Sequence, residues 1–182
     1  NLCEYLNGKK YINTHLINSD ILKLDISNLM CNKIIGNLPY YITTPIIFKF
    51  LESNLNWEKM FFLVQKEVAE RITSNPGGKT YGRLSVMTQI SSEIKILFNV
   101  SSKCFNPVPK VESSLIQFTR TNRYKISDYK KFSETIRTIF NQRRKKLKNT
   151  LPIDILKKED IDRNLLDKRP EDISIIEFVK LI

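Results

Sequence analysis

Apolar positions along the chain fall into short runs of two different periods. Lys59-Met60-Phe61-Phe62-Leu63-Val64 is nearly continuous, the pattern of a strand buried on both faces. Lys33–Gly36 predicts a shorter strand that runs straight into Asn37-Leu38-Pro39-Tyr40, and Thr14–Leu24 predicts another that ends near Asp20. Lys95–Val100 and Ser114–Thr119 predict two more, flanking a proline-rich connection at Phe105–Pro109. Between strands the period becomes helical. Ile46, Ile47, Phe50 and Leu51 form the core face of a helix from about Thr44, where Thr43 or Thr44 can cap and Pro45 suits the first turn. Further helices are expected around Lys66–Thr73 and Leu84–Ser91, with a loop at Ser74–Tyr81. Strands alternating with helices imply an α/β sheet with crossover connections.

After Arg120 the strand-like runs stop. The remainder is helical in pattern, and the apolar residues of Ile173–Ile182 recur at helical spacing, as core for that region. A boundary is expected between Arg120 and Ser127, separating an α/β domain at 1–120 from a small α-helical domain at 125–182.

Charge sharpens this division. Of 182 residues, 30 are Lys or Arg and 19 are Asp or Glu, a formal +11. From Arg120 onward 17 basic residues face 10 acidic ones, so that region holds +7 of the total. Such a surplus favours a polyanionic partner, nucleic acid or an acidic membrane surface. The richness in Asn, Ile and Lys offers coding bias as another source. Cys3, Cys31 and Cys104 are odd in number and widely spaced, which argues against a disulfide framework or a cysteine zinc site. His15 has no second ligand at metal-binding spacing. No stretch approaches the ~18 apolar residues of a membrane span. The start, Asn1-Leu2-Cys3-Glu4, is neither a signal peptide nor an initiator methionine. A cytoplasmic chain with a cut beginning is expected.

Asn37-Leu38-Pro39-Tyr40 carries the chemistry. In open α/β sheets ligands bind beyond the carboxyl ends of strands, where this turn falls. The pattern suits methylation of an exocyclic amine. The N6 lone pair of adenine is delocalised into the ring and is a poor nucleophile. An Asn side-chain oxygen and a nearby backbone carbonyl can accept from both amine hydrogens, which favours a pyramidal nitrogen with its lone pair aimed at a methyl donor. This is positioning and electrostatics, with no general base needed before attack. Pro39 stiffens the turn and Tyr40 offers a ring for a flipped base. A tight turn with a buried tyrosine is the structural alternative.

Ile35-Gly36-Asn37-Leu38-Pro39-Tyr40-Tyr41-Ile42-Thr43-Thr44-Pro45 resembles the catalytic motif of the ribosomal RNA adenine dimethyltransferases. Val64–Arg71 and Tyr81–Val86 resemble the stretches that follow it in that family. Phe105–Ser114 resembles its proline-rich motif, with Glu112 where Asp is commoner, and Phe140-Asn141-Gln142-Arg143-Arg144-Lys145 is similar to the start of its basic C-terminal helix. The order and spacing match across essentially the whole chain. The resemblance implies a Rossmann-like class I methyltransferase sheet with a small helical domain. It also implies S-adenosylmethionine as methyl donor and twofold methylation of adenine N6 in small-subunit ribosomal RNA. Asn37 would touch cofactor and target amine, Leu38 or Pro39 would supply the carbonyl, and Tyr40 and Phe105 would hold the two faces of the base. Asp20, followed by Ile21, falls where the family has a strand-end Asp near the cofactor's adenine; a turn-capping Asp is the competing role. Lys79, Arg83, Lys110, Arg143, Arg144, Lys145, Lys146 and Lys148 are the expected RNA contacts. Phosphate contacts of this kind position RNA without reading sequence.

Two family features are absent: the glycine-rich turn after the first strand and the acidic residue after the second. None of the five glycines stands in a GxG arrangement. Asn1–Tyr11 resembles the helix before the family's third strand, so the first two strands are missing. The strand ending near Asp20 then lacks an inner neighbour, and the strand at Lys33 shows an unpaired edge. The expectation is a monomer, acting on small-subunit ribosomal RNA or its precursor particle, that is inactive alone and needs no metal. Gly77-Gly78-Lys79-Thr80 is not a phosphate loop, because the pattern needs Gly where Thr73 stands. The alternatives are the antibiotic-resistance branch acting on large-subunit RNA, which the basic tail disfavours, and a non-catalytic RNA-binding assembly protein.

Overall fold

The computed structural model describes residues 2–9, 11–158 and 161–182. Four strands make one mixed sheet in the order β1-β2-β4-β3: β1 (Lys33–Asn37), β2 (Lys59–Gln65), β3 (Ser92–Val100) and β4 (Ser113–Arg120). β1 and β2 are parallel, with Ile35 opposite Phe61 and Asn37 opposite Leu63. A parallel pair needs a crossover, and α2 (Thr43–Leu51) supplies it. β4 runs antiparallel to both β2 and β3. Ahead of these lies a short helix, α1 (Leu2–Gly8). The expected Asn1–Tyr11 segment begins at residue 1 and includes residue 10, both outside the described residues.

Helices α2, α3 (Lys66–Ile72) and α4 (Arg83–Ser91) supply the residues that pack with one face of the sheet. There Ile46, Ile47, Phe50 and Leu51 of α2 join Met60, Phe62, Val64, Ile116 and Phe118, all buried. β2 departs from the expectation of a strand covered on both sides: Met60, Phe62 and Val64 are fully buried, but Phe61 and Leu63 only half. On their face Ile35 is 79% exposed and Phe98, opposite Leu115, is 56% exposed. Apolar continuity along β2 therefore reports composition, while the layering decides which side is dry.

The strand expected over Thr14–Leu24 does not form. β1 stands at the sheet's edge, and this segment does not pair with it. A lone extended segment leaves its backbone groups without a ladder, so the chain satisfies them locally. The Asp20 carbonyl accepts from Lys23 N at 3.0 Å and Leu24 N at 2.9 Å. Ile21, Leu24 and Ile26 pack into the core instead, and Lys49 Nζ of α2 donates to the carbonyls of Leu22 and Leu24. The expected cap of α2 is also different. Ile42 takes the cap position without a side-chain bond, and Thr43, the first helical residue, donates its hydroxyl back to the Pro39 carbonyl at 3.1 Å.

Beyond Arg120 come α5 (Tyr129–Asn141), α6 (Ile153–Leu156), α7 (Arg163–Leu166) and α8 (Ile175–Leu181). Asp128 caps α5 by accepting from Lys131 N at 2.9 Å, and Ser174 with Glu177 forms a capping box on α8. Their buried faces, among them Phe132, Ile136, Ile155, Leu165 and Phe178, close a second core. α4 is shared between the cores: Leu84 faces the sheet, whereas Val86, Met87 and Ile90 pack with the helical region. The basic run Arg143–Lys148 does not continue α5: Arg143–Lys145 lie in a turn, and Leu147–Asn149 form a single 3-10 turn. α5 stops at Asn141, the chain turns as Lys145 N bonds to the Gln142 carbonyl at 2.8 Å, and Leu147 is driven into the core. Burying Leu147 outweighs continuing a helix through clustered like charges. Cations just past the last carbonyls of α5 also suit its negative end. No helix of the described residues is long and apolar enough to cross a membrane.

Candidate active site

β1 ends at Asn37, and the turn that follows is held by its own backbone. Leu38 N extends the ladder by donating to the Leu63 carbonyl at 3.2 Å, and the buried Leu38 side chain plugs into the core. Pro39 then leads into a single 3-10 turn at Tyr40–Ile42 before α2. Entry to this turn requires glycine at position 36, because a Cβ there would meet Leu38 Cδ2 at 2.8 Å and Phe62 Cδ1 at 3.3 Å. Gly36→Ala is expected to push Leu38 off its seat and destabilise the chain by about 1–3 kcal/mol, the usual cost of overpacking. Urea unfolding would show it as a lowered midpoint, and an unchanged midpoint would mean the turn has slack.

The opposite wall comes from the segment between β3 and β4. Asn37, Leu38, Pro39 and Tyr40 face Phe105, Asn106, Pro107 and Pro109 across a pocket of about 360 Å³. All five expected catalytic residues, Asn37, Leu38, Pro39, Tyr40 and Phe105, therefore line one cavity although they lie far apart in sequence. Its polar edges are Asn37 and, on the opposite wall, Asn106, both exposed; Tyr40 and Phe105 are half-buried. The Tyr40 hydroxyl bonds to Ser113 Oγ at 2.6 Å, which fixes its ring against the start of β4. Glu112, next to that anchor, pairs with Lys66 Nζ at 2.8 Å while its carbonyl accepts from Lys66 N. The longer Glu at this position still reaches the N-terminal end of α3.

The carbonyls of the turn differ in availability. That of Pro39 accepts from Ile42 N at 3.1 Å and from Thr43 Oγ1 at 3.1 Å, so both its lone pairs are engaged. Among the described residues no hydrogen bond falls on the Leu38 carbonyl. Composition could not separate these two candidates. Residue reading also missed Asn106, Pro107, Pro109 and the Ser113 anchor, although all lie inside or beside the proline-rich motif.

Other expected residues fall elsewhere. Asp20 and Ile21 do not line this pocket. Asp20 Oδ1 accepts from Leu22 N at 2.9 Å, the turn-capping role, and Ile21 packs into the core. Of the residues expected to hold a cofactor, only Asn37 stands in the pocket. No described residue supplies the glycine turn or the ribose-binding carboxylate, so the groups present do not make a whole cofactor site.

The expected RNA contacts also sort into groups. Lys110 is exposed beside the pocket wall. Arg144 and Lys145 are exposed on the turn after α5. Arg143 is committed internally: it pairs with Glu171 and donates to the Lys79 carbonyl at 3.1 Å. Gly77 N donates to the Glu171 carbonyl at 2.7 Å, so the glycine loop is pinned to the helical region. Lys146 and Lys148 share Asp167, at 3.1 and 2.8 Å. Arg83 lies over the Phe48 ring, 4.4 Å from its centre, and burial lowers its pKa.

Comparison with known proteins places this arrangement. A family described as "Ribosomal RNA adenine dimethylase" matches residues 1–173. The chain is 41% identical over 184 residues to ribosomal RNA small subunit methyltransferase A of Parabacteroides distasonis, covering 98% of this chain and 69% of that protein. To the same-named proteins of Bacteroides thetaiotaomicron and Caldanaerobacter subterraneus it is 43% identical, covering 92% and 95% of this chain and 64% and 70% of theirs. The chain thus spans about two thirds of the length of these relatives. In three dimensions it matches a dimethyladenosine transferase from Plasmodium falciparum with a TM-score of 0.81 at 21% identity, over 99% of this chain and 75% of that one. The 23S rRNA methyltransferase ErmE matches at 0.64 and 22%, with the same coverage. The fold is that of the Rossmann-like methyltransferases.

Proposed function

The chain belongs to the ribosomal RNA adenine dimethylase family, a family of methyltransferases, and we propose that it carries the base-binding pocket and RNA-docking region of an enzyme that dimethylates adenine N6 in small-subunit ribosomal RNA. The observation that supports this most is the convergence of Asn37, Leu38, Tyr40 and Phe105 on one cavity. An adenine drawn out of its helix would stack between Tyr40 and Phe105. Asn37 Oδ1 and the Leu38 carbonyl would then accept from the two N6 hydrogens. Leu38 is the better carbonyl because that of Pro39 is already doubly engaged. Both acceptors stabilise a pyramidal, more nucleophilic nitrogen. S-adenosylmethionine would supply the methyl group. Asn37 is the only residue here proposed to reach it, and the chain alone is expected to be inactive.

Residues 1–120 would form the partial catalytic domain and 125–182 the basic docking domain, in a cytoplasmic monomer. The small-subunit substrate is favoured over the large by relatives whose names state it. The test is a chimera that joins the amino-terminal third of the P. distasonis protein to this chain. Supplied with labelled S-adenosylmethionine and small-subunit RNA, it should yield N6-dimethyladenosine on mass analysis. Product confined to large-subunit RNA, or none from a folded chimera that binds the cofactor, would overturn the reading.

Arg144 and Lys145 are proposed as phosphate contacts. Their joint change to Gln should flatten the salt dependence of RNA binding by about 1.4 for two single-strand contacts. An unchanged slope in a filter-binding series would remove them from the RNA surface.

A further inference from the structure

A second cavity, of about 520 Å³, opens where α5 meets α2 and α4, and the base pocket does not include it. Glu52, just past the end of α2, and Arg83, the first residue of α4, form one side. Tyr129, Lys130, Ser133, Glu134 and Arg137 form the other, on successive turns of α5. One interdomain bond crosses the cleft, from Ser133 Oγ to Glu52 Oε1 at 3.2 Å.

Among the described residues its three cations are unpaired, as are the exposed Arg144 and Lys145 of the turn after α5. Elsewhere in the helical region Lys131, Arg143, Lys146, Lys148 and Lys168 each hold a carboxylate. Among the described residues, none of Arg83, Lys130 and Arg137 has a salt-bridge partner. Arg83 Nε is buried with no hydrogen-bond acceptor, while its guanidinium lies over Phe48. A buried donor left unsatisfied is costly, which favours turning the Arg83 fork toward an acceptor in the cleft.

We infer that this cleft binds one phosphodiester of an RNA strand together with its adjoining ribose. Three cations against two carboxylates leave a net charge of +1, matched to a phosphodiester monoanion and poorly matched to a phosphate dianion. Guanidinium forks suit the phosphate oxygens. Glu52 and Glu134 would repel a second phosphate and accept from the ribose 2′-hydroxyl, the group that separates RNA from DNA. The cleft lies at the far end of α2 from Pro39, about 13 Å along that helix, apart from the base pocket. The inference rests on the RNA reading above.

The test measures anisotropy of a short fluorescein-labelled single-stranded RNA across a salt series. It compares the unaltered chain, Lys130→Gln/Arg137→Gln, and a control pair, Lys23→Gln/Lys95→Gln, of equal charge change. The cleft substitutions are at exposed positions, and a matching melting temperature confirms an intact fold. The cleft pair should lower the salt slope by about 0.7 and weaken binding about fivefold at 0.1 M salt, beyond the control. RNA should also bind more tightly than DNA of the same sequence, and Glu134→Ala should narrow that gap. An effect no larger than the control, or ready displacement of RNA by millimolar inorganic phosphate, would overturn the assignment. Failure of the unaltered chain to bind RNA would remove the functional reading as well; intact binding with an unchanged slope would remove the cleft alone.

Discussion

In the chimera with the P. distasonis amino-terminal third, Asn37→Ala should lower methyl transfer by about 10²–10³-fold, the scale seen when one preorganised polar group is removed from a charge-stabilising site. The side chain stands at the carboxyl end of β1 and is a polar edge of a pocket whose other walls are Leu38, Asn106, three prolines and two aromatic rings. Its loss removes one of the two acceptors proposed for N6, so the amine lone pair stays in conjugation with the ring. The base would still stack on Tyr40, which Ser113 holds at 2.6 Å, and the exposed basic residues are untouched. RNA affinity should therefore stay within about twofold, and the loss should lie in kcat. Single-turnover methylation with saturating RNA separates these parameters. Normal turnover would overturn the pocket assignment, and an equal loss of RNA affinity would reassign Asn37 to binding.

A comparable free-energy change is expected from Phe62→Ala, this time in folding. Phe62 is fully buried at the centre of β2, with its ring centre 5.9 Å from those of both Phe50 on α2 and Phe118 on β4. Gly36 lies directly against the same ring. Truncation should cost about 3–5 kcal/mol, a large share of the roughly 5–15 kcal/mol that holds a domain together. In urea the midpoint should fall by about 2 M for a slope near 2 kcal/mol per M. Because the cavity would open beneath the Asn37 turn, the chimera should lose activity at temperatures where the parent is stable. A shift below about 1 kcal/mol would mean that the sheet and α2 collapse readily onto the gap.

Local patterns were legible wherever neighbours along the chain settle the outcome. The strands at Lys33, Lys59, Lys95 and Ser114 and the helices at Thr44, Lys66 and Leu84 all form within a few residues of their expected limits. Ile46, Ile47, Phe50 and Leu51 all face the core, because helical period alone orients them. Thr14–Leu24 has a strand's residues but no strand, since pairing is a property of two segments and the second is not beside it. Arg143–Lys148 has the composition of a charged helix, yet burial of Leu147 turns the chain there.

The site divides along the same line. Asn37 through Tyr40 could be read directly, because a polar residue, a proline and an aromatic in succession have a chemical meaning before any folding. That Phe105 stands opposite them was implied only by resemblance, and it is the β4 return beside β2 that brings the two together. The choice of Leu38 over Pro39 depends on where Thr43 donates its hydroxyl. Likewise, Arg143 and Arg144 are identical in sequence terms, but one holds Glu171 and the other faces solvent. Residue order thus settles which elements form and what chemistry each can offer, through steric and hydrophobic preferences that act over a few residues. Which partners are already taken is settled only by packing, because hydrogen bonds and ion pairs saturate and their partners come from distant parts of the chain.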